Sequence, residues 1–345
     1  MTAHRTFSSD NNAGVHPEVL RAIEAVNAGH QHAYGDDPHT AEAVSHLRRH
    51  LGEDAAVYFV FNGTGANVCG ISAFMRSYGA CICPATAHIN VDECGALEHL
   101  IGGKLLTVAT PDGKLTPEMV VGRIRGVGVE HHSQPQVVSI TQATEYGTVY
   151  TPAEVRALAD VVHAHGLRLH MDGARIANAA ASLGCSLRDI TLGAGVDVLS
   201  FGGTKNGALM AEAVVFADAG CAADFKYVRK QSMQLASKMR FVAAQFSALL
   251  DGDLWLANAR HANVMAALLA ERMAGVAGVT ISQPVQANEV FARIPADAIV
   301  PLQAETGFYV WDERTSEVRW VTLWDTTESD VESFCAAAAE LLGTA

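Results

Sequence analysis

Apolar residues recur along this chain with two periods, one typical of helices and the other of buried strands. Helical spacing first appears in a set of four residues: Ala41, Val44, Leu47 and Leu51. Asp37 suits the N-cap of that helix, Pro38 suits its first position, and Gly52 ends it. The apolar run 56–61 predicts a buried strand, and residues 66–78 predict the next helix.

The same alternation continues to about residue 250, and it predicts a mostly parallel sheet covered by helices. Thr151 and Glu154 form a capping pattern for a further helix, which Gly166 ends. Four more buried strands are predicted, at residues 137–140, 167–171, 197–201 and 210–216.

The pattern changes beyond about residue 240. A long helical stretch covers residues 239–274. Three short strand candidates and a final helix follow, at residues 279–281, 289–294, 318–323 and 328–342. We therefore predict a large α/β domain over residues 1–245, with an N-terminal arm of residues 1–20, and a small α+β domain over residues 246–345.

Composition and charge exclude several classes of function. Hydrophobic residues make up 49% of the chain and charged residues 18%, enough for a large core, and the formal net charge is −13 without a basic stripe. We therefore expect no nucleic-acid partner. No apolar run reaches the roughly 18 residues of a membrane span, and the first ten residues lack the apolar core of a signal peptide. The seven cysteines fit a cytoplasmic protein with reduced thiols, and no cluster has metal-ligand spacing, so no metal is expected.

A glycine-rich turn, Asn62-Gly63-Thr64-Gly65, lies between a predicted strand and a predicted helix. Glycines allow backbone amides to form an anion-binding nest, and the helix N-terminus adds partial positive charge. The turn could therefore bind a phosphate group, or it could be only a tight connection.

Two further residues follow predicted strands and could act in one site, since ligands gather at the carboxyl ends of parallel strands. Asp172 could hold a protonated pyridine nitrogen, or it could cap a helix. Lys205 lies between Gly203 and Gly207. A lysine shielded from water loses its proton more readily and can attack a carbonyl, whereas the alternative is a surface lysine in a turn.

The order of these elements, with Lys205 thirty-three residues after Asp172, resembles the fold-type-I pyridoxal-phosphate enzymes. In more detail, the chain resembles the L-threonine aldolases of the β-eliminating lyase group. The motifs that carry this resemblance are Ser9-Asp10, Tyr34-Gly35-Asp36-Asp37-Pro38, Gly63-Thr64, Ala87-His88, Asp172-Gly173-Ala174-Arg175-Ile176, Lys205 and Val318-Arg319.

The resemblance implies a site for pyridoxal 5'-phosphate. Lys205 would carry the cofactor as a Schiff base, Asp172 would bind the pyridine nitrogen, and His88 would stack on the ring. The full implied cofactor set is Gly63, Thr64, Gly65, His88, Asp172, Arg175, Lys205 and Arg240.

The resemblance also implies that Ser9, Arg175 and Arg319 bind the substrate carboxylate, because the planar guanidinium group matches a carboxylate. Lys230 and Arg240 match basic residues that reach the phosphate of a neighbouring subunit. The implied assembly is a homodimer or homotetramer with the site at the subunit interface.

The chain departs from the family pattern at two places. Thr204-Lys205-Asn206 stands where Ser-Lys-Gly is usual, and Gln142-Ala143-Thr144-Glu145 stands where many members have Glu-Asn-Thr-His. The second difference removes a histidine. The base that takes the proton of the substrate hydroxyl is therefore open among His88, Asp92 and Glu145.

The resemblance implies cleavage of L-threonine, L-allo-threonine and related β-hydroxy-α-amino acids to glycine and an aldehyde. Four alternatives stay open from the sequence: a phenylserine aldolase, a β-eliminating lyase on the same scaffold, a non-catalytic protein that binds the cofactor, and an oligomeric scaffold protein. The first two share the cofactor chemistry, so residues on the substrate side would decide between them.

Overall fold

The computed structural model describes residues 5–343, and seven strands in that range form the larger sheet. The strands are β1 (Ala56–Val60), β2 (Gly79–Pro84), β3 (Lys104–Val108), β4 (Gln134–Thr141), β5 (Arg168–Gly173), β6 (Val198–Gly202) and β7 (Glu212–Phe216). Their order is β1-β7-β6-β5-β4-β2-β3. β7 is antiparallel to both neighbours, and the other pairs are parallel. The expectation of a mostly parallel sheet is confirmed, and this sheet has seven strands.

Helices connect and cover these strands. They are α1 (Pro17–Ala25), α2 (Pro38–Leu51), α3 (Gly63–Ser72), α4 (His88–Val91), α5 (Ala96–Ile101), α6 (Pro117–Arg123), α7 (Pro152–Ala164), α8 (Ile176–Leu183), α9 (Phe225–Gln231), α10 (Arg240–Leu250), α11 (Leu254–Met273), α12 (Ala296–Glu305) and α13 (Glu328–Leu342). The predicted bounds of α2 and α13 are confirmed. Thr151 and Glu154 form the expected capping box at the start of α7.

Two helix predictions are wrong in their bounds. The stretch 239–274 contains two helices, because Asp251, Gly252 and Asp253 separate α10 from α11; aspartate and glycine favour turns over helix interiors. The helix predicted over 66–78 begins three residues earlier and ends at Ser72, so the glycine-rich turn forms its first turn.

A smaller antiparallel sheet follows in the chain. Its strands are β8 (Thr280–Ile281), β9 (Glu289–Arg293), β10 (Tyr309–Asp312) and β11 (Glu317–Val321), in the order β10-β11-β9-β8. Phe308, Trp320 and Phe334 pack ring against ring in its core. The sequence predicted three of these strands and missed β10 and α12. The domain division at residues 245/246 stays a prediction, and α10 passes through it.

The N-terminal arm crosses from the small sheet to the large one. Phe7 is 2% exposed and packs against Phe334, its amide donates to the carbonyl of Gly307, and its carbonyl accepts from the amide of Val321. The 3₁₀ turn Asp10–Asn12 follows. The arm therefore joins the core of the small sheet before the chain enters the large sheet. Residues 1–4 of the predicted arm and 344–345 of the predicted small domain lie outside the described residues.

Residues 5–343 were searched for membrane-spanning helices and for metal sites. None of the helices there is both long enough and apolar enough to cross a bilayer. Histidines, cysteines and carboxylates in the same range do not form a group of three that could hold a metal ion.

Strand direction brings separate segments to one edge of the large sheet. β1, β2, β4, β5 and β6 run in the same direction, so their carboxyl ends lie at one edge, together with the amino end of the reversed strand β7. The residues at or just after those ends include Asn62, His88, Glu145, Asp172, Lys205 and Glu212.

Candidate active site

A cavity of about 360 Å³ opens at this edge of the sheet. The residues that line it include seven to which the sequence analysis gave a possible role: Gly63, Thr64, His88, Glu145, Asp172, Arg175 and Lys205. The separate loops inferred from the sequence therefore meet in one place.

The first turn of α3 forms one wall of the cavity. Asn62 is the N-cap, and its Oδ1 accepts a hydrogen bond of 2.7 Å from the amide of Gly65. Gly63 and Thr64 are the first two residues of the helix, and their backbone amides can donate hydrogen bonds to a phosphate. Gly65 is different: its amide is already used, it is not part of the cavity wall, and a Cβ there would clash with the side chain of Gln234. Gly65 therefore serves the packing of α3 in this structure.

Asp172 is the penultimate residue of β5 and is only 5% exposed. Its Oδ1 accepts from the amide of Ala174 at 2.9 Å, and its Oδ2 accepts from Nδ2 of Asn67 at 2.8 Å. Among the described residues, no cationic side chain forms an ion pair with it. The N-cap of α8 is Arg175, so Asp172 does not cap that helix. A buried carboxylate without a cation is suited to a positively charged group of a ligand.

Lys205 follows β6 in the 3₁₀ turn Thr204–Asn206. Its amine forms no hydrogen bond or ion pair with any residue between 5 and 343, and the side chain lines the cavity. Glu212 lines the cavity as well, and burial raises the pKa of its carboxyl group to about 7. The sequence did not single out Glu212, although its place at the start of the reversed strand puts it at this edge.

A hydrogen-bonded chain joins His88 to Asp172. Nδ1 of His88 lies 2.8 Å from Oε1 of Glu93, whose side chain is fully buried. Nδ2 of Asn67 donates both to the same oxygen, at 2.9 Å, and to Asp172. The hydrogen bond that Nδ1 of His88 donates to Glu93 raises the pKa of His88, and burial opposes that effect. The sequence missed both Glu93 and Asn67. Asn67 follows Gly63 by one helical turn, and this spacing could have indicated it.

Arg175 is held by two carboxylates. Its Nε donates to Oδ2 of Asp10 at 2.7 Å and one terminal nitrogen donates to Oδ1 at 3.1 Å, which is a bidentate pair. Oε1 of Glu289 lies 3.4 Å from Nη2 of Arg175 and 3.4 Å from Nη1 of Arg319. Burial raises the pKa of Asp10, but the charges of Arg175 and Lys205 and the hydrogen bonds from Arg175 and Asn288 together outweigh it and lower the pKa to about 2. The arginine is therefore fixed in orientation before any substrate binds.

Two residues assigned to the substrate carboxylate lie outside the cavity wall. The hydroxyl of Ser9 accepts from the amide of Asn11 at 3.2 Å, so its neighbour Asp10, rather than Ser9, reaches Arg175. Arg319 shares Oε1 of Glu289 with Arg175, and its guanidinium lies above the ring of Trp311.

Three other candidates also lie away from this cavity. Nε of Arg240 donates to the carbonyl of Val26 at 3.0 Å, and the amine of Lys230 lies above the ring of Tyr34. Asp92 is exposed just after α4 and does not line the cavity. Asp92 is therefore poorly placed to act on a substrate beside Lys205.

Comparison with known proteins identifies the chain's relatives. The β-eliminating lyase family matches residues 6–296. The chain belongs to this family. It is 44% identical to the low specificity L-threonine aldolase of a Pseudomonas species, covering 96% of both chains. It is 46% identical to the low specificity L-threonine aldolase of Pseudomonas aeruginosa, covering 94% of this chain and 95% of that one. The threonine aldolase of Leishmania major matches with a TM-score of 0.92 at 30% identity, covering 98% of this chain and 99% of that one.

Members of the β-eliminating lyase family use pyridoxal 5'-phosphate, and the residues of this cavity fit that group. The unpaired carboxylate of Asp172 suits a protonated pyridine nitrogen, and the amides of Gly63 and Thr64 suit a phosphate. Lys205 supplies an amine without a partner in the same cavity. Family membership therefore agrees with the chemistry of the donor set, and the cofactor expectation is confirmed.

The buried carboxylate of Glu93 should control the protonation of His88. We expect Glu93→Gln to lower the pKa of His88, because the glutamine keeps a hydrogen-bond acceptor but removes the negative charge. An NMR titration of the His88 ring protons measures this pKa directly. Glu98→Gln, at an exposed position of α5, is the control. An unchanged or higher pKa in Glu93→Gln would contradict the role given to Glu93.

Proposed function

We propose that this lyase cleaves L-threonine, L-allo-threonine and related β-hydroxy-α-amino acids to glycine and an aldehyde. The observation that carries the proposal is that the free amine of Lys205 and the unpaired carboxylate of Asp172 line one cavity. The low specificity L-threonine aldolases among its relatives support the choice of substrate class.

Several of the cavity residues then have defined tasks. When bound, pyridoxal phosphate supplies an electron sink for the bonding pair of the Cα–Cβ bond. Lys205 anchors it, Asp172 keeps its ring nitrogen protonated, and the first turn of α3 holds its phosphate. Arg175, fixed by Asp10, orients the substrate carboxylate and so sets the angle of the bond that breaks. His88, held by Glu93, packs on the ring.

The assembly proposed is a homodimer or homotetramer with this cavity at the subunit interface. Met210 lines the cavity and is 47% exposed, and its neighbour Leu209 is 48% exposed, so an apolar surface borders the opening. Arg240 and Lys230 lie outside their own chain's cavity, which fits residues that reach the cavity of another subunit. A cytoplasmic location is proposed because all seven cysteines are unpaired, as in a reducing compartment.

The test is an absorption spectrum and an aldehyde-release assay on the purified protein. The substrates are L-threonine, L-allo-threonine and L-phenylserine, and the expected result is a yellow protein that releases aldehyde from at least one of them. A protein that stays colourless and inactive with added cofactor would refute the proposal. A yellow protein that releases no aldehyde would keep the cofactor site and point to β-elimination instead.

A further inference from the structure

Glu145 places a carboxylate in the cavity, and the proposed function assigns no task to it. It lies in the segment 142–150 after β4, lines the cavity with His88 and Asp172, and is 8% exposed. A buried carboxylate inside a reaction cavity carries a solvation cost, which a role in the chemistry would explain.

The segment that carries Glu145 is fixed by its own hydrogen bonds. The side-chain amide of Gln142 donates to the carbonyl of Tyr150 at 2.7 Å and accepts from its amide at 3.0 Å. The amide of Thr144 donates to the carbonyl of Thr148 at 2.9 Å. Gly147 has a φ of +70°, and a Cβ there would lie 3.1 Å from Cβ of Glu289. The backbone therefore holds Glu145 in place without help from a ligand.

The two carboxylate oxygens of Glu145 have different surroundings. Oε1 accepts from the amide of His88 at 2.8 Å and from the hydroxyl of Thr141 at 2.8 Å. Oε2 is buried and has no hydrogen-bond partner within residues 5–343. Buried polar atoms are nearly always paired, so the unpaired Oε2 of a residue that lines the cavity points to a partner that arrives with the substrate.

The charges around Glu145 suit a proton acceptor. Burial raises the pKa of its carboxyl group to about 7, and the negative charge of Asp172 adds to that effect. The other titratable groups that face it are His88, the thiol of Cys83 and the phenol of Tyr150. Burial raises the pKa of Cys83 to about 12 and raises that of Tyr150, so neither adds charge at neutral pH.

The two rival bases are less suitable. Asp92 is exposed and outside the cavity wall. His88 gives Nδ1 to Glu93, so Nε2 is its remaining acceptor, and its ring is the group proposed to pack on the cofactor.

We propose that Glu145 is the catalytic residue that accepts the proton of the substrate's β-hydroxyl group. The proposal rests on the proposed function and names the base for the same reaction. The proton moves from the hydroxyl oxygen to Oε2, and the O–H bonding pair becomes the second C–O bond of the aldehyde. The Cα–Cβ pair leaves with the amino-acid fragment, and glycine takes up one proton at Cα while Glu145 returns one to solvent. Protons and electrons therefore balance over one turnover.

The direct test is Glu145→Gln with Asp92→Asn as the matched control. We expect kcat for aldehyde release to fall by about 10²–10⁴-fold in Glu145→Gln, with KM changed only a few-fold, and no loss in Asp92→Asn. Since the carboxylate form is present above a pKa of about 7, wild-type kcat should rise with pH through that value, and Glu145→Gln should lose this limb. Cofactor titration of the apoprotein, followed by visible absorbance, should be unchanged and so shows that the cavity is intact.

A second measurement separates the hydroxyl step from the rest of the cycle. Glycine has no β-hydroxyl, so exchange of its α-proton in heavy water requires no hydroxyl base, and Glu145→Gln should retain it. Two outcomes would contradict only the role of Glu145 and not the proposed function. One is the loss of both reactions in Glu145→Gln with a normal cofactor titration, and the other is full cleavage activity in Glu145→Gln. A wild type that releases no aldehyde would overturn the proposed function and this role with it.

Discussion

Replacing Lys205 with alanine is expected to lower kcat for aldehyde release by about 10⁴-fold or more, the scale seen when a covalent catalytic group is removed. Its amine is the only lysine nitrogen among the cavity-lining residues in the described chain, so no neighbour can replace it. Asp172 and the first turn of α3 remain in the variant, so we expect it to bind the cofactor without the covalent link. Turnover and the absorption spectrum, measured on the same sample, check both points.

Lys104→Ala is the matched control, because Lys104 is exposed at the start of β3 and far from the strand ends that form the cavity. It should retain wild-type turnover and the wild-type spectrum. Wild-type turnover in Lys205→Ala would show that another amine carries the cofactor, and the assignment of the cavity would then be wrong.

Replacing Asp10 with asparagine is expected to reduce the free energy of unfolding by about 3 kcal/mol at neutral pH, because removing one partner of a buried ion pair leaves the other charge uncompensated. The side chain of Arg175 is 9% exposed and that of Asp10 is 1% exposed, so water cannot replace the lost carboxylate. We place the effect at the low end of the range for buried pairs, because Glu289 remains 3.4 Å from Arg175. Denaturation in urea measures the change.

The difference between wild type and Asp10→Asn should depend on pH in a defined direction. The pKa of Asp10 is lowered from 3.8 to about 2 in the folded protein, so its stabilising effect is complete above 3.8 and is lost as the pH falls towards 2. The two unfolding curves should therefore converge in acid. Asp54→Asn, at an exposed position, is the control. Equal unfolding midpoints for wild type and Asp10→Asn at neutral pH would contradict the prediction.

The sequence was most informative where a reactive side chain lies at or directly after the end of a predicted strand. Asp172 and Lys205 were predicted at strand ends, and the parallel order of the strands brings them to one edge. β2 was missed because its sequence, Gly-Ala-Cys-Ile-Cys-Pro, begins with glycine and ends with proline, which usually mark turns. Its burial on both faces stabilises it as a strand despite this composition.

The partners of the site residues could not be predicted in the same way. Asp10 and Arg175 are 165 positions apart in the chain, and Asn67 and Asp172 are 105 apart, so no local pattern connects them. The choice between Asp92 and Glu145 likewise depended on which carboxylate the fold buries. Burial and long-range pairing arise from tertiary packing. The spacing of hydrophobic residues and the residue types in turns predict only local structure, so they do not reveal such pairs.

The docking of the N-terminal arm has a consequence for how the protein forms during synthesis. The arm is translated before both sheets, yet the backbone of Phe7 pairs with the carbonyl of Gly307 and the amide of Val321, which follow it by 300 and 314 positions. Contacts of such high sequence separation form late, since the loop between them must close first. The docking of Phe7, three residues before Asp10, therefore waits for the translation of β11. All seven strands of the large sheet are translated before β11, so they can pair before the arm is docked.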